Sequence, residues 1–97
     1  MAGVQHSYET VFILSTSLSE EDLKAMVEKF TALIADNGTV GSVEEWGKRR
    51  LAYEINDEQD GYYVLINFTA DADFPAELDR VFKITDGLLR SLIVNKD

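Results

Sequence analysis

Two runs of β-branched and aromatic residues, each followed by a segment of helical periodicity, constrain the fold of this chain more than any other feature. Tyr8–Ser15 (YETVFILS) and Tyr62–Thr69 (YYVLINFT) are nearly continuous in apolar character, which is typical of central strands covered on both faces. Apolar residues at helical spacing come after each run. They are Leu23, Val27, Phe30 and Ile34 in the first case and Phe74, Leu78, Val81 and Phe82 in the second.

Start and stop signals bound these two predicted helices. Ser19, with Asp22 three residues later, approximates a capping box, and Asn37-Gly38 is a helix stop. The first helix is therefore predicted over about residues 19–37. The second opens at Asp71–Pro75 and closes at Asp86-Gly87, and Leu88–Lys96 is predicted as a last strand.

The middle segment, Thr39–Ile55, is too long for one flat strand of ordinary length. Trp46 is out of phase with the apolar residues on either side of it, and Gly47 can absorb the offset as a β-bulge or bend. The polar stretch Asn56–Gly61 is predicted to be a hairpin turn. It fails as a calcium-binding loop, because its twelfth position is Asn67 rather than a bidentate glutamate.

The resulting order is β-α-β-β-α-β over one domain, residues 1–97, with residues 1–7 expected to be flexible. This order predicts the α+β ferredoxin-like split β-α-β sandwich, a four-stranded antiparallel sheet with two helices on one face. The usual strand order places the first and third strands at the centre, where their apolar character belongs. The second strand then lies at an edge of the sheet.

That edge strand carries the only basic triplet of an acidic chain, Lys48-Arg49-Arg50, directly after Glu44-Glu45-Trp46. Two readings stay open at this point. The cations could discourage edge-to-edge aggregation, or they could contact a polyanion. The net charge of −9 argues against binding nucleic acid by the overall field, but screening over about 8 Å allows a compact cluster to act locally.

Composition argues against catalysis, metals and membranes. The chain has no cysteine, and its one histidine, His6, lies close to the N-terminus, so neither a thiolate nor a two-histidine site can be built. Neither a phosphate loop nor an apolar run of about 20 residues is present. The first residues contain neither a charged region nor a long apolar run, so no signal peptide is expected, and a soluble, cytoplasmic protein without cofactor or small-molecule substrate is expected as well.

The third predicted strand invites comparison with RNA-recognition domains, in which aromatic residues on the open sheet face stack on bases. Gly61-Tyr62-Tyr63 matches that motif loosely, but Asp60 stands where a basic residue is expected. Stacking on bases and packing against protein both remain open for these tyrosines.

Gly47–Ile55 (GKRRLAYEI) resembles the signature of bacterial small-subunit ribosomal protein six. The resemblance extends to Tyr8–Val11, Gly61–Tyr63 and Asp86–Arg90, and it covers the chain from Tyr8 to Lys96. It implies the ferredoxin-like fold and a non-enzymatic, structural role on the small ribosomal subunit. It further implies binding to the central domain of small-subunit ribosomal RNA, cooperatively with ribosomal protein eighteen, a small basic partner, during assembly.

Site residues follow from this resemblance together with the charge pattern. The residues expected to contact RNA are Tyr8, Lys48, Arg49, Arg50 and Arg90. Those expected to contact the protein partner are Glu44, Glu45, Trp46 and Tyr53.

A small-molecule sensor or protein-interaction module on the same fold is the alternative, including a homodimer that pairs its second strands. It rests on fold analogy alone. An enzyme of the acylphosphatase type would need an arginine in the loop after the first strand, where the chain has Ser15-Thr16-Ser17-Leu18.

Overall fold

The computed structural model describes residues 5–55 and 58–96, including the side chains of all of these except residues 52–55 and 58. In chain order the elements are β1 (His6–Ser15), α1 (Glu20–Asn37), β2 (Gly38–Ile55), β3 (Glu58–Ala70), α2 (Phe74–Lys83) and β4 (Leu88–Asn95). The strands of this described part form one antiparallel sheet in the order β2-β3-β1-β4. The predicted fold, the central position of β1 and β3 and the edge position of β2 are therefore confirmed.

Both helices begin where the sequence signals place them. The Ser19 hydroxyl accepts a hydrogen bond from the Asp22 backbone N–H at 3.1 Å, which satisfies one of the unpaired donors at the start of α1. In α2, Pro75 lies in the first turn, where its missing N–H costs nothing. Asp73 occupies the N-cap position without a side-chain hydrogen bond to the helix backbone.

β3 is longer than the sequence indicates. It begins at Glu58, so the predicted turn is wrong for residues 58–61, while Asn56 and Asp57 lie outside the described residues. Gly61 is a buried strand residue that pairs with Ser15 on one side and Arg49 on the other. A Cβ there would overlap Ile13 Cγ2, so this glycine marks a close approach between strands and not a turn.

β1 also begins early, at His6, which is inside the segment predicted to be flexible. The first four residues of that segment lie outside the described part of the chain. His6 and Ser7 pair with Ala70 and Thr69 of β3.

The core lies between the helices and one side of the sheet. Phe12 of β1, Phe30 of α1 and Phe82 of α2 meet with ring centroids 4.7–5.4 Å apart, and each is at most 1% exposed. Aromatic pairs in this geometry stabilise by about 0.5–1.5 kcal/mol beyond the area they bury. The predicted helical stripes therefore form the core face, with Val27 and Ile34 beside Phe30 in α1.

Within the described residues, no helix covers the other side of the sheet, which we call the open face. Cross-strand partners in the register share a face, and alternate residues of each strand point to opposite sides. Among the described residues of β1, β3 and β4, those on the open face include Glu9, Val11, Ile13, Tyr63, Leu65, Asn67, Arg90, Leu92 and Val94.

β2 follows the sheet over 18 residues because bulges adjust its register. One shift lies between Val40 and Ser42 and a second between Glu45 and Gly47. Gly47 has a φ of 81°, a left-handed conformation that glycine adopts without steric cost. The bulge predicted at Gly47 is confirmed, and the extra residue brings Trp46 and Gly47 together opposite Tyr63.

Candidate nucleic-acid and protein interface

The charged residues of β2 divide between the two sides of the sheet. Glu44 pairs with Leu65 and Arg49 with Gly61, so both belong to the open face. Glu45 and Lys48 pair with Val64 and Tyr62, which point to the helix side. Every residue from Glu44 to Arg50 is exposed except the half-buried Gly47. The basic triplet is therefore accessible, but its members do not all point the same way.

An aromatic stack with a cation beside it marks the open side of this strand. The rings of Trp46 and Tyr63 lie nearly parallel, with an interplanar angle of 14° and centroids 6.3 Å apart. The Arg49 guanidinium carbon lies 5.5 Å from the Trp46 ring centroid, within the range of a cation–π interaction. Trp46 remains 41% exposed, so the structure leaves a large planar surface accessible to a partner.

On the helix side, Glu45 is held by a tyrosine. The Tyr62 hydroxyl donates a hydrogen bond of 2.8 Å to Glu45 Oε1. Burial raises the pKa of the Tyr62 hydroxyl above its ordinary value, and the hydrogen bond to Glu45 and the charge of that carboxylate raise it further. The tyrosine thus donates to, and orients, a carboxylate next to Lys48 on the same side of the strand.

The remaining predicted site residues lie in three different settings. Arg90 pairs with Ile13 and is exposed on the open face, two strands from Tyr63 along the same row of the sheet. Tyr8 is only 5% exposed and stacks on Phe68 with centroids 5.5 Å apart, so little of its ring is accessible to RNA. The side chain of Tyr53 lies outside the described residues.

Aliphatic residues on the open face were not recognised as a candidate interface from the sequence. Leu92 is 60% exposed and Val94 is 42% exposed, both on the edge strand β4. Together with Val11, Ile13 and Arg90, Leu92 borders a groove of about 350 Å³. The available signal was the alternation of Arg90, Leu92 and Val94 along one face, but Ile93 between them is apolar as well and hides the period of two.

Metal and membrane sites were searched over the described residues. This part of the chain contains no group of three or more histidine, aspartate or glutamate side chains placed to hold a metal ion. Among its helices, neither is long and apolar enough to cross a bilayer.

These features define a class of protein, namely a ferredoxin-like domain with an exposed, basic and aromatic-bearing edge strand and with both helices on one side of its sheet. The pattern of the family Ribosomal protein S6 matches residues 7–95. Small ribosomal subunit protein bS6 of Clostridium perfringens (strain SM101) is 56% identical over 91 residues, which cover 93% of this chain and 96% of that protein. The protein of the same description from Clostridium beijerinckii is 54% identical over 90 residues, covering 92% and 95%.

A solved structure gives the same answer for the fold. The crystal structure of 30S ribosomal protein S6 from Thermotoga maritima superposes with a TM-score of 0.91 at 28% identity, covering 96% of this chain and 89% of that one. The chain belongs to the ribosomal protein S6 family. The family comprises structural proteins of the ribosome, so the predicted resemblance and the predicted non-enzymatic role are confirmed.

Proposed function

We propose that this chain, a structural protein of the small ribosomal subunit, binds the central domain of small-subunit ribosomal RNA cooperatively with ribosomal protein eighteen. The observation that carries the proposal is the exposed triplet Lys48-Arg49-Arg50 on the edge strand β2, beside the stacked Trp46. Arginine binds phosphate through planar, paired hydrogen bonds, which position a protein on RNA without reading its sequence.

The distribution of charge supports contact through the sheet rather than the helices. α1 bears five carboxylates and two lysines, and three of the carboxylates fall in its first turn. In α2, Arg80 and Lys83 form ion pairs with Glu77 and Asp79. A phosphate backbone approaching the helical side therefore meets net negative charge, whereas the β2 edge offers three consecutive cations.

Cooperativity follows from the acidic balance of the chain. A protein with a net charge of −9 gains little from counterion release when it binds RNA alone. A basic partner supplies the missing positive charge, and carboxylates on β2 such as Glu44 can contact it. Weak RNA binding by the isolated chain and much tighter binding with ribosomal protein eighteen are expected.

A filter-binding titration on a central-domain RNA fragment at two salt concentrations, with and without ribosomal protein eighteen, tests the proposal. Equal affinities in the two arms contradict it. Arg49→Ala with Arg50→Ala should weaken binding and reduce the salt slope by about 1.5 if two phosphate contacts are lost. Arg80→Ala with Lys83→Ala changes the net charge equally on the helical side, and it should leave the slope nearly unchanged.

A further inference from the structure

Within the described part of the chain, no strand pairs with the outer edge of β4, which stands at one end of the strand order. The Lys96 backbone N–H donates to the Ser7 carbonyl of β1 at 2.8 Å, and the direction of backbone groups alternates along an antiparallel strand. Ser91, Ile93 and Asn95 therefore direct their N–H and C=O groups away from β1. An edge of this kind is a template on which a further strand can add.

β4 lacks the features that protect the other edge of the sheet. β2 shifts its register at three places and carries five charged residues between Glu44 and Arg50. Bulges and charges of this kind discourage edge-to-edge pairing. β4 keeps one continuous register with β1 from Arg90 to Asn95, and Arg90 is its only charged residue. The β4 edge is thus the one suited to regular pairing.

Grooves border this edge on both sides of the sheet. On the helix side, a groove of about 430 Å³ lies between α2 and β4, with Ala76, Ser91 and Ile93 among the residues that line it. On the open face, Arg90 and Leu92 border a groove of about 350 Å³. Because side chains alternate between the two sides of a strand, an added strand would place successive side chains in the two grooves.

In one antiparallel register the side chains of β4 complement those of a second copy of β4. Leu92, which is 60% exposed, then lies opposite Leu92 of the second copy. The small Ser91 lies opposite Ile93, so that the isoleucine of each copy points to the helix-side groove of the other. Ser91 and Ile93 both direct their backbone groups outwards, and an opposed pair of this kind exchanges two hydrogen bonds.

Charge selects this register over its neighbours. Arg90 lies opposite Val94 of the second copy, and that valine pairs with Glu9 of its own chain. Arg90 and Glu9 of the second copy are then two strand spacings apart, about 10 Å, which their extended side chains span together. A shift of two residues in one direction sets Arg90 against Lys96, and a shift in the other direction moves it from the row of Glu9 to that of Leu92.

The acidic balance of the chain permits this contact. The net charge of −9 on each copy is screened over about 8 Å at physiological salt, so the distant carboxylates of the two copies repel each other only weakly. β4 itself brings no carboxylate to the contact, because Arg90 is its only charged residue.

We propose that the outer edge of β4 is a homodimer interface at which two copies pair antiparallel, with Leu92 at the two-fold axis and Arg90 beside Glu9 of the second copy. The two sheets then form one continuous sheet with a charged β2 strand at each end. These ends discourage further addition, so that association stops at the dimer. The inference is independent of the proposed function, because it concerns the chain without RNA or ribosomal protein eighteen.

Sedimentation velocity of the purified chain, from about 1 μM to 1 mM, tests the interface over the range of weak to moderate affinities. Wild type should show a reversible monomer–dimer equilibrium. Arg90→Glu and Glu9→Arg each bring like charges together twice in their own homodimer and should weaken it by about tenfold or more. A 1:1 mixture of the two variants should dimerise about as well as wild type, because both charge pairs of the mixed dimer are attractive again.

Two controls separate this contact from effects of net charge and of folding. Lys24→Glu and Glu28→Arg make the same charge changes on α1, which packs over β2 and β3, and should alter the dimer affinity by less than about twofold. Leu92→Lys brings two cations together at the two-fold axis and should also dissociate the dimer. Unfolding temperatures close to that of wild type verify that each variant is folded, and Leu92→Lys decides the question where a charge-reversal variant is not.

Each of the following results overturns the inference. Wild type that stays monomeric up to about 1 mM excludes the interface. A dimer that Arg90→Glu or Leu92→Lys leaves intact, or that Lys24→Glu weakens equally, uses another surface. Two folded, monomeric variants, Arg90→Glu and Glu9→Arg, whose mixture also stays monomeric would show that Arg90 and Glu9 do not meet between copies.

Discussion

Gly61→Ala offers a sharp test of how tightly the sheet is built below the candidate interface. Gly61 is buried between the central strand β1 and the edge strand β2. An alanine Cβ would overlap Ile13 Cγ2 and lie 3.1 Å from Leu51 Cδ2. Because the Cγ2 of isoleucine is bonded directly to the branched Cβ, only a change of rotamer or a shift of the backbone can move it away.

The expected cost follows from this geometry. Inserting a methyl group into a packed region typically destabilises by about 1–3 kcal/mol, and for a domain of this size each kcal/mol lowers the unfolding temperature by about 4–8 °C. Gly61→Ala should therefore unfold about 8–16 °C below wild type for a loss near 2 kcal/mol. Thermal and urea unfolding, followed by circular dichroism and by the fluorescence of Trp46, measure this directly.

A second substitution identifies the cause. Ile13→Leu removes the branch at Cβ at constant volume and should cost less than about 1.5 kcal/mol alone. In the Ile13→Leu background, Gly61→Ala should lower the free energy of unfolding by at least about 1 kcal/mol less than it does in wild type, because residues in contact are energetically coupled. Strictly additive effects, or an unfolding temperature of Gly61→Ala within about 1 °C of wild type, would refute the argument from close packing.

Three further predictions concern single sites. Ser19→Ala should destabilise the protein by about 1 kcal/mol in urea unfolding through loss of the α1 N-cap. Ser19→Asp should retain most of the stability, and equal losses for the two variants would contradict a capping role. Gly47→Ala should lower the free energy of unfolding by about 1–2 kcal/mol because of the left-handed backbone, and Gly47→Asn should lower it less. A larger loss for asparagine than for alanine in urea unfolding would exclude backbone strain as the cause. Because the pKa of Tyr62 is raised in the folded state, its contribution is present below the ordinary value of about 10 and is lost as pH rises through the higher folded pKa. Tyr62→Phe should therefore show a flatter loss of stability above about pH 10, and an unchanged alkaline profile would contradict the raised pKa of Tyr62.

The sequence was most informative where burial and local signals agree. The nearly continuous apolar run around Phe12 predicts a central strand and the periodic stripe around Phe30 predicts an amphipathic helix, because each pattern reflects how many sides of the element are buried. Gly47 predicted a bulge because Trp46 was out of phase with its neighbours, and the register shift confirms it. The edge position of the basic triplet follows from the usual strand order of this fold together with the apolar character of the two central strands.

Other features depend on contacts between distant segments and leave no local trace. The polar neighbours of Gly61 predict a turn, whereas the close approach of Ile13 requires a residue without a side chain in a strand. Leu92 and Val94 are apolar like core residues, yet they face away from the helices. Composition records that a residue is apolar, but the topology decides which side of the sheet receives a covering layer.

The sequence predicts which residues belong to the candidate site, but it does not predict the side of the sheet to which each of them points. The triplet was located on an exposed strand, but the division of Lys48 and Arg49 between the two sides depends on the register relative to β3. The burial of Tyr8 could not be predicted from the sequence either. This residue carries a polar hydroxyl and lies near the start of a strand, yet it is part of the aromatic core.

The bulge at Trp46 and Gly47 has a consequence for how this strand can tolerate changes of length. Because a bulge sets two residues of one strand opposite a single partner, removal of one of the two restores simple alternation and leaves the register on either side unchanged. Deleting Gly47 would place Trp46 alone opposite Tyr63, while Lys48 would stay opposite Tyr62 and Arg49 opposite Gly61. A single-codon deletion at this point would thus conserve the charge patterns of the two surfaces and remove only the local irregularity.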